Sequence, residues 1–234
     1  MLTVFHGMAN TWECDENGHL NVRFYAEKVE EGLAHLYHQL GLTRAVQKNA
    51  GALMRIRDQH IHYKREVRPG EGLFGRAGLL EVRENGLRAY VELVNGHTDE
   101  IAAIFNLDIE YRSLADYSLV PLPARVAENA TGLLMELPDF AAPRSIPIDR
   151  PSVLDTAPPS LDEVAGWGLH EIARGQVLDW ECDANGLMHA FYYLGRISDG
   201  VVHLARHFRP RDTDKARSLS KYGGAVLEYR LRYS

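Results

Sequence analysis

The chain is 234 residues long, 45% hydrophobic and 25% charged, with a formal net charge of −6. That composition is ordinary for a soluble globular protein and leaves room for two small domains. The acidic balance argues against a general nucleic-acid binder. No apolar run approaches the roughly 20 residues that span a bilayer, and Met1 leads into no signal-peptide pattern, so no membrane partner and a cytoplasmic setting are expected.

In chain order, residues 2–12 read as a strand, and the turn Asp15-Glu16-Asn17-Gly18 leads into a helix over about 21–40 that Gly41 is placed to stop. Residues 52–67 follow as a long strand with His60, His62 and Lys64 on one face and Ile61 and Tyr63 on the other, the period-2 signature. Pro69-Gly70-Glu71-Gly72 breaks it. Strands over 73–82 and 87–94 are joined through Glu84-Asn85-Gly86, where Asn-Gly is the strongest short hairpin signal. A strand over 102–112 completes an α+β unit, one long helix with an antiparallel meander. Residues 121–159 hold eight of the ten prolines and read as an extended connector draped over a surface, with Leu133-Leu134-Met135 pinning part of it down. After it come a strand over 176–180, a turn, a helix ending near Phe208 and a strand over 225–233.

The later elements repeat the first ones. Trp12-Glu13-Cys14-Asp15-Glu16-Asn17-Gly18 returns as Trp180-Glu181-Cys182-Asp183-Ala184-Asn185-Gly186, six of seven positions identical at an offset of 168 residues. The helical apolar stripe Tyr25, Val29, Leu33, Leu36, Leu40 returns as Tyr193, Ile197, Val201, Leu204, Phe208, and Gly32 as Gly200. This is an internal duplication. Residues 1–120 form the first unit, 121–164 the connector and 165–234 a second unit that stops about three strands short of a full copy. The sequence is accordingly expected to be a fragment or to lack a tail; the alternative is a partner chain, a homodimer included, that supplies the strands. Cys14 and Cys182 occupy equivalent positions and read as buried free thiols. The last 29 residues carry eight Lys or Arg against three Asp or Glu, a basic end that is a solvated face or a site for an acidic partner.

Chemistry is expected at the first copy of the turn. Asp15 ends a strand, Asn17-Gly18 suits the positive φ of a tight turn, and Asn21 can cap the helix. The free N–H groups of the helix start, with the positive end of the dipole behind them, then face the same space. A carboxylate, a carboxamide and an imidazole beside an oxyanion site suit water attack on an activated acyl group. From spacing alone, a capped turn with a hydrogen-bonded Asp15 and a surface His19 explains the same residues equally well.

The string D-x-x-G-H-x-N-x-x-x-Y, formed by Asp15, Gly18, His19, Asn21 and Tyr25, resembles hotdog-fold thioesterases of the 4-hydroxybenzoyl-CoA thioesterase type. Asp15, Asn17 and His19 also resemble the D-x-N-x-H motif of fatty acyl-ACP thioesterases, which are tandem hotdogs. Ile61-His62-Tyr63-Lys64-Arg65-Glu66 is similar to their strand ending in Tyr-Arg-Arg-Glu-Cys, with Glu66 at the functional glutamate and Val67 in place of the cysteine. The resemblance implies tandem hotdog folds, each a long central helix wrapped by an antiparallel sheet. It implies hydrolysis of acyl-CoA or acyl-carrier-protein thioesters without metal or organic cofactor. Asp15 would then be general base, nucleophile or orienting residue. Asn17 and His19 would position water and polarise the carbonyl, with Glu66 assisting. N–H groups near Asn21 and Val22 would hold the oxyanion, with Tyr25 also lining the substrate.

The second copy keeps Asp183 and Asn185, but Leu187 stands for His19 and His189 for Asn21. It reads as a degenerate site kept for packing, against the alternative of a second active centre. His60 and His62 lack a third ligand at a telling spacing and are expected to be exposed side chains. Arg55, Arg57, Lys64, Arg65 and Arg68 could meet phosphates or an acidic carrier, or form a solvated edge. The rival functions are a hotdog hydratase or dehydratase and a non-catalytic acyl-thioester-binding protein. The usual Asp-x-Asn-Pro-x-His string of the dehydratases is not matched, because Gly18 stands at the proline.

Overall fold

The computed structural model describes residues 1–144, 159–208 and 226–233. Strand β1 is Leu2–Met8 and gives way to a 3-10 turn at Thr11–Glu13, earlier than the sequence reading of 2–12. Helix α1, Val22–Gln39, begins where the cap was expected: Asn21 is in the extended region and its side chain accepts from the Arg23 N–H. It ends at Leu40 and Gly41, whose φ of +81° is the left-handed conformation that glycine adopts without penalty. Helix α2, Arg44–Ala50, was not anticipated, although Thr43 caps it and Gly51 closes it at φ +60°. The strands β2 Ala52–Tyr63, β3 Gly72–Arg83, β4 Gly86–Asn95 and β5 Ile101–Ser113 match the four expected segments to within a few residues at each end.

The chain divides into two units, Met1–Asp149 with Leu227–Tyr233, and Arg150–Val226. In the first, an antiparallel sheet runs in the order β1-β3-β4-β5-β2-β6, where β6 is Glu228–Arg232. The expected stripe of α1 is buried throughout, Tyr25, Val29, Leu33, Leu36 and Leu40 each being at most 3% exposed. Gly32 lets the helix approach β1, since a Cβ there would sit 3.0 Å from Val4 Cγ2. The same layer holds Phe5, Gly75 and Leu93.

By the alternation of β4, Tyr90 faces away from Leu93 and hence away from α1. That second face is covered by the connector. Helix α3, Arg125–Ala130, is followed by a crossing in which Met135 N–H donates to Leu79 O, Leu134 bridges Leu79, and Met135 and Leu137 pack around Tyr90, Ile104 and Ala141. The expected pinning of the connector at Leu133-Leu134-Met135 is therefore present. Pro147, Pro151 and Pro158 of the connector lie outside the described residues.

This cover overturns the expectation for two histidines. His60 and His62 are 1% and 3% exposed. His60 Nε2 lies 2.6 Å from Glu228 Oε1 on β6, and Asn106 links His60 Nδ1 to the Ala141 carbonyl of the connector. Periodicity showed that these histidines share a face; it could not show that a segment 80 residues later covers that face.

In the second unit the helix α4, Leu161–Gly166, starts at the capping box of Ser160 and Glu163, and α5 spans Ala190–Phe208. The strand expected over 176–180 is absent. A 3-10 turn at Asp179–Glu181 stands at its end, and no ladder partner for it exists among the described residues. The stripe of α5 is open at Tyr193, Val201 and Leu204 among the described side chains. Of the basic end, Arg209, Arg211, Lys215, Arg217 and Lys221 lie outside the described residues.

One substitution tests the β4–β5 hairpin packing. A Cβ at Gly86 would collide with the Ile109 carbonyl oxygen and come within 3.1 Å of Glu110 Cα. Backbone cannot yield as a flexible side chain does, so Gly86→Ala is expected to destabilise by about 1–3 kcal/mol. A thermal midpoint equal to wild type would contradict this close approach.

Candidate active site

The loop between β1 and α1 is built by its own carboxylate. Asp15 Oδ1 accepts from the Asn17 N–H at 2.9 Å and the His19 N–H at 3.1 Å. Gly18 turns at φ +72° and returns its N–H to Asp15 O, and Cys14 bridges Leu20. Asp15 thus acts first as a turn former. Asn17 gives its backbone N–H to this turn and leaves its side chain exposed.

The loop then meets the end of β2. Leu20 N–H donates to Val67 O at 2.8 Å, Tyr25 OH to Arg65 O and Tyr63 OH to Val22 O, both at 3.3 Å. The two phenol rings meet edge to face with centroids 5.3 Å apart. Burial raises both phenols above their usual pKa, so they stay protonated and remain donors. This lock places Glu66 against His19: Nε2 to Oε2 is 3.1 Å, with the imidazole 23% and the carboxylate 58% exposed. A carboxylate only accepts, so this contact places the proton of His19 on Nε2 and leaves Nδ1 as the lone-pair nitrogen.

The amides at the helix start are partly committed. Asn21 N–H donates to Glu13 O at 2.9 Å, and Arg23 N–H is capped by Asn21 Oδ1 at 3.0 Å. Val22 N–H lies between them and has no acceptor among the described residues. Of the two amides expected to hold an oxyanion, Asn21 is engaged in structure and Val22 is not.

Asp15, His19, Val22, Tyr25 and Glu66 therefore converge, while the carboxamide of Asn17 stands apart. Lys64 donates to Phe140 O, and Arg65 pairs with Glu100 at 3.3 Å, so these two cations are engaged within the protein. Cys14 is a free thiol, half-buried rather than fully buried, and burial raises its pKa before the charges of Asp15 and Glu13 add to the effect. That thiol is a poor nucleophile. Among the described residues no group of three or more His, Cys, Asp or Glu could hold a metal, and no helix is long and apolar enough to cross a membrane.

Sequence reading missed two contributors. Tyr63 lies in the segment similar to Tyr-Arg-Arg-Glu-Cys, but no role in the site is expected of it from the sequence. Lys28, a charge on the buried face of α1, pairs with Glu13; its place three residues after Tyr25, beside Val29, was the available signal.

The second heptad folds like the first. Asp183 Oδ1 accepts from the Asn185 and Leu187 N–H groups at 2.8 and 3.1 Å, Cys182 is also free, and Cys182 bridges Met188. His189 N–H donates to Glu181 O, and its ring stacks on Phe191 at 5.2 Å. The turn is complete, but no imidazole occupies the position of His19.

Three solved structures are similar to this one. A 12:0-ACP thioesterase from Umbellularia californica superposes with a TM-score of 0.68 at 12% identity, covering 98% of this chain and 80% of its own. A protein assigned as an oleoyl thioesterase from Lactobacillus plantarum gives 0.62 at 14% identity, with 86% and 72% covered. A hypothetical protein from Staphylococcus aureus in complex with CoA gives 0.56 at 12% identity, with 62% and 96% covered. These likenesses establish the hotdog fold. No curated protein matches the chain. The model of the thioesterase-like superfamily matches residues 9–130, more than half of the sequence, including the loop, α1 and the strands β2 to β5; the chain belongs to that superfamily.

Proposed function

We propose that this thioester hydrolase works on acyl-CoA or acyl-carrier-protein thioesters at a single site formed by His19, Glu66 and Val22, with Asp15 holding the loop. The observation that carries the reading is the 3.1 Å contact of His19 with Glu66 beside the uncommitted Val22 N–H. With its Nε2 proton held by Glu66, His19 Nδ1 takes a proton from water, and the hydroxide adds to the thioester carbonyl carbon. The developing oxyanion is received by Val22 N–H at the positive end of α1. Collapse of the adduct breaks the C–S bond, and the imidazolium returns its proton to the departing thiolate. Tyr25 and Tyr63 hold the two walls together.

Supporting a duplicated architecture, β6 pairs with β2 about Ile61 and Tyr229, which are 168 residues apart. His60 faces Arg230 and His62 faces Glu228, so the offset exchanges the two pairs. Such a register is what two copies of the same strand would adopt about a two-fold axis. On this reading residues 1–120 are one hotdog unit, 121–164 the connector, and 165–234 a second, shorter unit. Its Asp183, Asn185 and His189 form a turn without a catalytic imidazole.

The test is thiol release from a panel of acyl-CoAs and acyl carrier proteins by wild type, Asp15→Ala and Asp183→Ala. Release lost in Asp15→Ala and kept in Asp183→Ala is the expected result. Loss in both variants would contradict the single site. Hydration of an enoyl thioester without release of thiol would replace hydrolysis by the dehydratase reading, and a folded protein that releases nothing would leave the binding reading.

A further inference from the structure

We infer that the buried ion pair of Glu13 and Lys28 positions the His19 loop against the start of α1, which makes both of them positioning residues for the reaction proposed above. Lys28 Nζ lies 2.9 and 2.8 Å from the two carboxylate oxygens of Glu13, with side chains 7% and 11% exposed. A lysine on the face that buries Tyr25, Val29 and Gly32 gives up hydration that an apolar residue there would not. Its return is directional, through what Glu13 holds.

Glu13 closes the loop at both ends. On the strand side its Oε2 accepts from the Asn10 N–H at 2.9 Å and its N–H donates to Asn10 O at 3.0 Å. On the helix side its carbonyl accepts the Asn21 N–H at 2.9 Å. That last bond occupies the amide before Val22 and fixes where the Val22 N–H sits relative to His19. Lys28 is seven residues after Asn21, about two turns along the same side of the helix. It therefore anchors Glu13 to the body of α1 rather than to the loop itself.

The second unit contains the same wiring with the other cation. Arg196, at the repeat position of Lys28, places Nη2 2.8 and 2.7 Å from the two oxygens of Glu181. Leu178 N–H donates to Glu181 Oε2 at 2.8 Å, and His189 N–H to Glu181 O at 3.0 Å. A positive charge at this helical position and a carboxylate ahead of the turn are the shared features, which nominates arginine as the conservative replacement.

The experiment compares wild type, Lys28→Met, Lys28→Arg and the double variant Glu13→Gln/Lys28→Met, which removes both charges and orphans neither should the single variant unfold. Two readouts are taken below the unfolding temperature: kcat and KM for thiol release, and hydrogen exchange of residues 15–22. Lys28→Met is expected to lose about 10²-fold in kcat with KM little changed, the effect of a small misplacement of reacting groups. Exchange at the Asn21 amide should rise in parallel, and Lys28→Arg should restore both. A folded Lys28→Met or double variant with wild-type kcat and exchange overturns the inference, as does a Lys28→Arg variant that rescues neither. If wild type releases no thiol while exchange follows the expected pattern, the positioning role stands and the thioesterase reading fails.

Discussion

His19→Ala is expected to lower thiol release by about 10²–10⁴, the usual cost of removing a positioned acid–base group. The imidazole is one of the side chains by which the first turn differs from the second, beside Glu16 against Ala184 and Asn21 against His189. Asp15 and Asp183 make the same two backbone contacts, so the turn-forming role of the carboxylate is common to both copies. Leu187 at the equivalent position offers no proton acceptor. His19→Ala should fold normally, because the turn depends on the His19 backbone N–H rather than its ring. Glu66→Gln should fall between His19→Ala and wild type: the amide can still meet Nε2, but it no longer requires the proton there. Steady-state kinetics on a saturating acyl thioester decide the matter. A His19→Ala enzyme within threefold of wild type would move the base elsewhere, first to Asp15.

Asp58→Ala is expected to have the largest effect on stability. Asp58 is 6% exposed and holds Arg230 at 2.9 Å and Arg232 at 3.0 Å, two of the five residues of β6. Removing one partner of a buried ion pair typically costs about 3–5 kcal/mol, because the remaining charge is left in a poor solvent. Against a total stability of about 5–15 kcal/mol this is a large share. The loss should be local before it is global. The cross-strand contacts of His60 with Glu228 and of Tyr63 with Tyr229 survive, but β6 is the edge strand among the described residues, five residues long, with Asp58 at its far end of the register. Hydrogen exchange should rise first at Tyr229–Arg232 and only later in β3 and β4. A thermal midpoint and β6 protection equal to wild type would show that the backbone ladder alone holds this strand.

Local chemistry in the sequence was enough for much of the first unit. Asn21 as cap, Gly41 as stop, the α1 stripe and the Asn85-Gly86 hairpin each depend on residues within one or two turns of one another. Helix α2 is equally local, with Thr43 ahead of it and Gly51 behind it, but its seven residues bury no side chain and so give no periodic signal. The meeting of His19 and Glu66 was suggested by family resemblance alone, since nothing in their spacing implies contact across 47 positions.

What the sequence by itself determined is the repeated turn, the helix that follows it and the strands that wrap that helix, because capping, φ preference and apolar periodicity act between near neighbours. What only the tertiary structure decided is where charge and burial fall. His60 and His62 are covered because the connector crosses their face. Lys28 is buried because Glu13 awaits it across the loop, and β6 joins the first unit's sheet because Asp58 and His60 supply partners for Arg230 and Glu228. Each of these depends on contacts between separate elements, where desolvation and pairing compete; the helical period places Lys28 on the buried face, but no period supplies its partner.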